Sequence, residues 1–120
     1  MRAIVILSMV LSVSVASKAA APATRTALVG NWEEDPGTCA GDNNVAYRPD
    51  GTFFGYDYEG RWSLVGDSLT TIVTRRMNDD ERWRRVKPPE PSTTTIVTLS
   101  SDRLEERWAD GSLHQQHRCR

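Results

Sequence analysis

The residues best suited to chemistry are a cluster of basic side chains around one tryptophan in the second half of the chain. The cluster consists of Arg75, Arg76, Arg82, Trp83, Arg84, Arg85 and Lys87. Arginine beside an aromatic residue is typical of binding hot spots and of contacts with anionic surfaces. We therefore take residues 82–85 as a candidate ligand-binding site. The alternative is a solvated loop, because the acidic residues 79–81 balance the charge.

Other candidate catalytic or metal-binding groups do not fall at productive spacings. His114 and His117 are three residues apart, so on a strand they point to opposite faces and do not chelate one ion. Adjacent carboxylates are split between faces in the same way. These pairs are Glu33–Glu34, Asp79–Asp80 and Glu105–Glu106. With no Gly-x-Ser-x-Gly elbow and no phosphate-binding glycine loop, we predict a protein that is not an enzyme and that uses no metal or cofactor.

The first 23 residues have the features of a secretory signal peptide. Arg2 precedes an apolar run at residues 3–16, which is too short to cross about 30 Å of hydrocarbon comfortably, and small residues follow it. Cleavage is expected after Ala19 or Ala23, and a retained membrane anchor is the alternative. The mature protein is therefore expected in the periplasm or outside the cell, without a transmembrane segment.

The rest of the chain, residues 27–120, has the length of one domain. Removing Arg2 and Lys18 from the 15 basic residues leaves 13 against 16 acidic ones, a net charge of −3. A mildly acidic protein is not expected to have nucleic acid as its main partner.

The domain contains two cysteines, Cys39 near its start and Cys119 next to its end. Because an exported chain meets an oxidising compartment, we expect the two thiols to form a disulfide. A bridge that closes so long a loop stabilises a fold by about 4 kcal/mol in the chain-entropy model. Two free thiols or a metal-binding pair are the alternatives.

Short alternating runs of apolar and polar residues, separated by turn residues, predict an all-β domain. Eight strands are expected at residues 27–34, 44–48, 52–58, 60–64, 68–77, 93–99, 103–108 and 112–119. Tight turns are indicated at residues 49–51, 66–67, 101–102 and 110–111. An eight-stranded meander is expected to close into an antiparallel up-and-down barrel, because closure removes the two exposed edges of the sheet.

Alternation also predicts which side chains share the apolar face of each strand. The expected sets are Gly60, Trp62 and Leu64; Leu69, Thr71 and Val73; Thr95, Val97 and Leu99; and Leu104, Glu106 and Trp108. One segment, residues 78–92, is too charged for a strand and too long for a hairpin turn, and it ends in prolines. Since long loops in compact domains are usually functional or disordered, we expect a mobile flap beside the barrel rim.

The chain contains the pattern Gly-x-Trp twice, as Gly30-Asn31-Trp32 and as Gly60-Arg61-Trp62. The first copy, at the start of a strand, resembles the signature of the lipocalin and wider calycin group. The second copy looks like a hairpin of small bacterial lipocalin-like proteins. In both, a glycine suits a strand that bends or is approached closely by another backbone, and the tryptophan two residues later faces the same side and fills the barrel axis.

The resemblance has implications for the ends of the barrel. It implies that Gly30 lets the chain bend sharply into the barrel and that Trp32 plugs the closed end. It also implies that an arginine from the last strand lies over the indole in a cation–π contact. Here Arg118 or Arg120 is expected in that place.

These observations together predict an exported, lipocalin-like binding module. The interior of an eight-stranded barrel is either filled by side chains or holds one small apolar molecule. The basic cluster points instead to an anionic envelope lipid. The alternative is an interaction protein, because the start of the domain also resembles small periplasmic protease inhibitors, in which Gly-x-Trp and a following cysteine open an eight-stranded barrel. Residues 20–26 or 78–92 would then enter a protease cleft.

Overall fold

The computed structural model describes residues 23–41 and 43–120, which form one short helix and eight strands. The elements in chain order are α1 (Arg25–Leu28), β1 (Gly30–Glu34), β2 (Asn44–Tyr47), β3 (Thr52–Phe54), β4 (Tyr58–Val65), β5 (Ser68–Met77), β6 (Trp83–Leu99), β7 (Arg103–Arg107) and β8 (Leu113–Cys119). Each strand pairs antiparallel with the next, and β1 pairs with β8, so the sheet closes into a barrel. The predicted fold class, an all-β eight-stranded up-and-down barrel with one disulfide, is confirmed.

The predicted signal peptide and its cleavage site after Ala19 lie outside the described residues, which begin at Ala23. Among the described residues, no helix has the length and apolar character that crossing a membrane requires. The strand predicted from residue 27 begins at Gly30 instead, because the residues before it form α1. Thr24 caps this helix, since its side-chain oxygen accepts a hydrogen bond from the Ala27 N–H at 3.2 Å.

The two ends of the barrel differ. At one end, short turns follow β2, β4 and β6, and α1 packs there with Leu28 fully buried. We call this the closed end. At the opposite end, which we call the open end, lie the connections after β1, β3, β5 and β7. The apolar core contains Leu28, Trp32, Tyr47, Phe53, Trp62, Leu69, Ile96 and Leu104, one residue from α1 and one from each of the first seven strands.

The glycines of the two Gly-x-Trp patterns occupy positions where a side chain does not fit. Gly30 has a φ of 141°, which residues with a side chain rarely adopt, and the Arg118 guanidinium lies where a Cβ would be. Gly60 lies at a register shift between β4 and β5, against the backbone carbonyl of Ile72. Each glycine therefore permits a close approach at the wall of the barrel.

The apolar face predicted for β6 is wrong. Ile96 is 5% exposed and belongs to the core, whereas Val97 is 40% exposed. The pairing of β6 with β7 shifts register between Ile96 and Thr98. A bulge at this place lets both Ile96 and Leu99 pack against the core, although they are three residues apart in sequence.

The long loop predicted at residues 78–92 is also wrong. The strand β6 begins at Trp83, and it forms with β5 a hairpin whose tip is residues 78–82. The register shifts between Val73 and Arg75, so residues 86–89 of β6 lie opposite Thr74 alone. Pro88 falls within this bulge, where its missing N–H is not needed for the hydrogen-bond ladder. The strand can therefore run through a proline-rich sequence.

Candidate ligand-binding cavity

Trp32 fills the barrel axis at the closed end. Its side chain is fully buried, and its indole N–H donates a hydrogen bond to the Leu28 carbonyl at 2.8 Å. The guanidinium carbon of Arg118 lies 4.3 Å from the centre of the indole ring, which is a cation–π contact. Arg120 points elsewhere and pairs with Asp102 at 2.5 Å. Of the two arginines that the resemblance allows, Arg118 therefore lies over the indole.

Arg118 also joins three parts of the chain. Its guanidinium donates hydrogen bonds to the carbonyl oxygens of Val29 and Ala27, both at 2.7 Å, and to that of Ser101 at 2.6 Å. The first two carbonyls lie at the end of α1, where backbone oxygens lack partners within the helix. One side chain of β8 thus fixes the segment entering β1 and the turn after β6.

Trp62 repeats the arrangement of Trp32. It is 4% exposed, and its indole N–H donates to the Arg48 carbonyl at 2.9 Å. The guanidinium carbon of Arg25 lies 4.2 Å from the ring centre, and the same guanidinium donates to the Pro49 carbonyl at 2.9 Å. Each Gly-x-Trp tryptophan therefore has its N–H bound and one ring face covered by an arginine, which makes the closed end rigid.

The interior of the barrel toward the open end contains a cavity of about 620 Å³. Its apolar and aromatic wall includes Val45, Tyr47, Phe53, Tyr58, Leu69, Val73 and Trp108. The Tyr47 ring meets the Trp62 ring edge to face at 5.6 Å, so Trp62 lies beneath the cavity. Pockets for small molecules usually have volumes of about 300–1,000 Å³ and mostly apolar walls. This cavity has the size and lining of such a pocket.

A groove of about 760 Å³ adjoins the cavity at the open end. Residues shared by both are Val45, Tyr58, Trp108 and Gln116. The charged residues that line the groove in the described part of the chain are Glu33, Glu34, Asp35 and Asp57. In the cavity wall, Glu106 and Asp110 add two further acids, and the basic Arg76 pairs with Glu90 at 2.9 Å. The entrance to the cavity is therefore acidic.

Glu106 is a carboxylate buried in the cavity wall. It is 4% exposed, and its Oε2 accepts a hydrogen bond from Gln116 Nε2 at 3.1 Å. Its Oε1 has no hydrogen-bond partner among the described residues, and neither have Gln116 Oε1 and Thr94 Oγ1. All three residues line the cavity. A buried polar atom without a partner costs about 1–3 kcal/mol, so a ligand that donates hydrogen bonds to these atoms would offset this cost.

Two tyrosine hydroxyls share the cavity with Glu106. Burial raises the pKa of Tyr47 well above its ordinary value of 10.0, and the nearby Glu106 raises it further. Burial also raises the pKa of Tyr58, with a further contribution from Asp57. Both hydroxyls therefore stay protonated at neutral pH.

Stability is expected to depend on pH through Glu106. Burial raises the pKa of this carboxyl above its ordinary value of 4.5, and interactions with Trp108, His114 and Gln116 oppose the rise only in part. Between the ordinary and the raised pKa, the folded protein binds more protons than the unfolded chain, so stability falls as the pH rises.

The variant Glu106→Gln lacks this titration. We expect the free energy of unfolding of this variant, relative to that of the wild type, to increase as the pH rises above 4.5 and to level off once the pH exceeds the raised pKa of Glu106. Urea unfolding of both proteins across this range measures the difference. A difference that stays constant with pH, or that shrinks as the pH rises, contradicts the assignment.

Comparisons with known proteins do not add a family to this geometry. No protein-family model matches the chain, and no curated protein and no solved structure matches it. The functional argument therefore depends on the cavity, its charges and the residues that hold it in place.

The structure separates the candidate site residues at 82–85. The cross-strand pairs of the β5–β6 hairpin are Met77–Trp83, Arg76–Arg84 and Arg75–Arg85. Because side chains alternate along a strand, Trp83 and Arg85 lie on one face of the hairpin and Arg84 lies on the other. Arg82 belongs to the tip. The four side chains are therefore divided between the two faces and the tip of the hairpin, and a ligand site formed by them stays a prediction.

Much of the positive charge on this hairpin is neutralised. The ion pairs are Arg75–Glu59 at 2.8 Å, Arg76–Glu90 at 2.9 Å and Arg84–Asp80 at 3.1 Å. The guanidinium of Arg75 lies 5.6 Å from the centre of the Trp83 ring and covers part of it. Both features favour a solvated, charge-balanced surface over a site for anions.

The two histidines of β8 have different carboxylate partners. His114 Nδ1 lies 2.7 Å from Glu34 Oε1, and His117 Nδ1 lies 2.6 Å from Asp35 Oδ1. The His114 ring also stacks on Trp108 with 3.5 Å between the ring centres. The two side chains therefore take part in separate contacts at the open end.

The loop after β1 folds back over the outside of the barrel and is fixed there by the predicted disulfide, which is confirmed. Glu33 is 4% exposed beneath this loop, and its carboxylate accepts a hydrogen bond from the Cys39 N–H. The potential ligand atoms of Glu33, Cys39, His117 and Cys119 lie within 4.8 Å of one another. Since the two sulfur atoms are bonded to each other, this cluster holds the loop against the barrel and is not a metal site.

Several residues of the cavity have only weak signals in the sequence. Alternation does place Glu106 on an inward face between Leu104 and Trp108, and an acid at such a position is the signal that marks it. Arg25 precedes the first strand and reaches Trp62 only through the fold. No local pattern identifies it.

Proposed function

We propose that this protein is an exported, lipocalin-like binding module that holds a small, largely apolar molecule inside its barrel. The observation that carries the proposal is the cavity of about 620 Å³ with its aliphatic and aromatic wall. Moving apolar ligand surface from water into such a site contributes about 25 cal/mol per Å². The disulfide is typical of exported proteins and supports a location in the periplasm or outside the cell.

The wall of the cavity is well ordered by its own contacts. The ring centres of Tyr47 and Phe53 are 6.4 Å apart, and those of Phe53 and Tyr58 are 5.7 Å apart. Beneath them the arginine-covered Trp62 fixes the base. Side chains that are already held by such contacts lose little entropy when a ligand binds, which favours affinity.

The alternative function, a protease-inhibitor-like interaction, needs an arm that is free to enter a cleft. In the described part of that arm, Ala23 packs against the core. Arg25 is held by the ring of Trp62 and by the Pro49 carbonyl. These contacts argue against the use of residues 23–26 as an inhibitory arm, because a segment fastened to the barrel is not available to a protease, and they leave residues 78–92 as the other segment that the alternative names.

A bulky substitution in the cavity wall tests the proposal. Val73→Trp is expected to weaken binding of N-phenyl-1-naphthylamine, an uncharged apolar probe, by at least about tenfold, or about 1.4 kcal/mol. The reason is that Val73 lines the cavity and an indole there occupies the space of the ligand. Fluorescence titration measures the affinity, and circular dichroism verifies that the barrel persists.

The matched control is Val65→Trp, because Val65 is 77% exposed on the outside of β4. This control should bind the probe as the wild type does. Equal affinities of the two variants contradict an interior site, as does a wild-type protein that binds no probe. Native mass spectrometry of protein purified from its own cell envelope then gives the mass of the retained ligand.

A further inference from the structure

Several buried oxygen atoms in the cavity wall are free to accept hydrogen bonds from a ligand. Within the described ranges, the buried side-chain atoms without a hydrogen-bond partner are Glu106 Oε1, Gln116 Oε1 and Thr94 Oγ1, which come from the adjacent strands β7, β8 and β6. A carboxylate accepts hydrogen bonds and an amide oxygen does the same, whereas a hydroxyl does either. A ligand group that donates several hydrogen bonds therefore complements this region, and a second carboxylate does not.

The surroundings of these acceptors also suit a positive charge. Tyr47, Phe53, Tyr58 and Trp108 bring four aromatic rings to the cavity that contains Glu106. Aromatic faces attract cations, and the attraction is stronger where water is excluded. A buried carboxylate is itself costly unless a cation or hydrogen-bond donors compensate it.

The entrance adds a third observation. The adjoining groove is lined by four acidic residues and by no lysine or arginine among the described residues. Three of these acids have basic partners. Glu33 and Asp35 contact His117, Glu34 contacts His114, and Asp35 also contacts Arg103. Asp57 forms no ion pair within the described ranges. A cleft with this excess of negative charge raises the local concentration of cations.

We propose that the ligand is a primary amine on an apolar body, and that its ammonium group binds Glu106 while the apolar body occupies the aromatic cavity. This inference rests on the proposed binding function. An ammonium has three N–H donors and can donate to Glu106 Oε1 and to neighbouring acceptors of the cavity wall. The positive charge compensates the buried carboxylate, and the ion pair gains strength from the low dielectric of the interior.

The experiment compares three molecules with the same apolar chain and different head groups. Octylamine, octanol and octanoate each displace N-phenyl-1-naphthylamine from the wild-type protein at neutral pH. We expect octylamine to bind at least about tenfold more tightly than octanol and octanoate to bind most weakly. Glu106→Gln should reduce octylamine affinity by about tenfold and leave octanol affinity within about threefold of the wild type.

Glu105→Gln is the matched control, because Glu105 is next to Glu106 on β7 and its carboxylate accepts a hydrogen bond from Gln115 outside the cavity. This control should bind all three molecules as the wild type does.

Equal affinities for octylamine and octanol in the wild type overturn the inference while leaving the binding function intact. An equal loss of both in Glu106→Gln also overturns it. Failure of the probe and all three molecules to bind overturns the binding function itself. The wild-type ranking decides the inference even if Glu106→Gln does not fold.

Discussion

Replacement of Trp32 by alanine is expected to reduce the free energy of unfolding by about 3 to 5 kcal/mol. The side chain is fully buried at the closed end. Its loss leaves a cavity, removes the hydrogen bond to the Leu28 carbonyl, and removes the ring beneath Arg118. A small domain has a total stability of about 5–15 kcal/mol, so much of the variant should be unfolded at physiological temperature. Chemical denaturation followed by circular dichroism measures the loss.

A second tryptophan provides the comparison. Trp108 is 42% exposed at the open end, so Trp108→Ala should cost less than half as much as Trp32→Ala. Trp32→Phe keeps most of the apolar volume and should lie between the two, which gives a measurable value if Trp32→Ala does not fold. A Trp32→Ala protein that unfolds at the wild-type denaturant concentration contradicts the role of Trp32 as the plug.

The barrel could be predicted because its determinants are local. Alternating side chains define strands, and turn sequences such as Asp110-Gly111 separate them. The number of strands then favours closure, because an open meander leaves two exposed edges. The disulfide followed from the presence of two cysteines in a chain with a signal-peptide pattern. Each of these inferences needs only neighbouring residues or a count.

The errors on β6 have a common cause in bulges. In a strand with a regular period of two, the side chains of Ile96 and Leu99 point to opposite faces. The bulge at Val97 places both side chains on the inner face. In the same way, Pro88 argues against a strand until the bulge opposite Thr74 removes the need for its N–H. Bulges depend on how two strands pair, and alternation within one strand does not contain that information.

The cavity could not be derived from the sequence, because its volume depends on distances across the barrel. Tyr47 lies on β2 and Trp62 on β4, which are not neighbours in the sheet, but the contact between their rings forms the bottom of the cavity. The inward direction of Glu106 follows from alternation, but its unpartnered oxygen follows from the placement of β6 and β8 beside it. Alternation also bears on the candidate site at residues 82–85, since residues adjacent in a strand project to different faces.

The ends of the barrel thus have different physical roles. At the closed end, charged groups are used structurally, because Arg118 and Arg25 compensate backbone carbonyls and cover indoles. Toward the open end, one oxygen of Glu106 has no partner in the part of the chain that the structure describes. The fold tolerates the free-energy cost of this atom, because the stability supplied by the core and the disulfide exceeds the penalty of a few unpaired polar atoms.

Removal of the Cys39–Cys119 disulfide is expected to lower the free energy of unfolding by about 4 kcal/mol. The two residues are 80 positions apart in sequence, so the bridge restricts nearly the whole unfolded domain. The bridge also holds the loop after β1 over the buried Glu33, whose carboxylate accepts the Cys39 N–H. Reduction should therefore lower the denaturation midpoint and speed hydrogen exchange in this loop.

The double variant Cys39→Ser/Cys119→Ser separates the bridge from other effects of the reductant. Its denaturation midpoint should equal that of the reduced wild type and should not change when reductant is added, because serine hydroxyls cannot form the bridge. Intact mass of the native protein should show two hydrogens fewer than the reduced chain. If native protein is alkylated at both cysteines without reduction, the bridge is absent in solution, and the covering of Glu33 must then depend on the loop contacts alone.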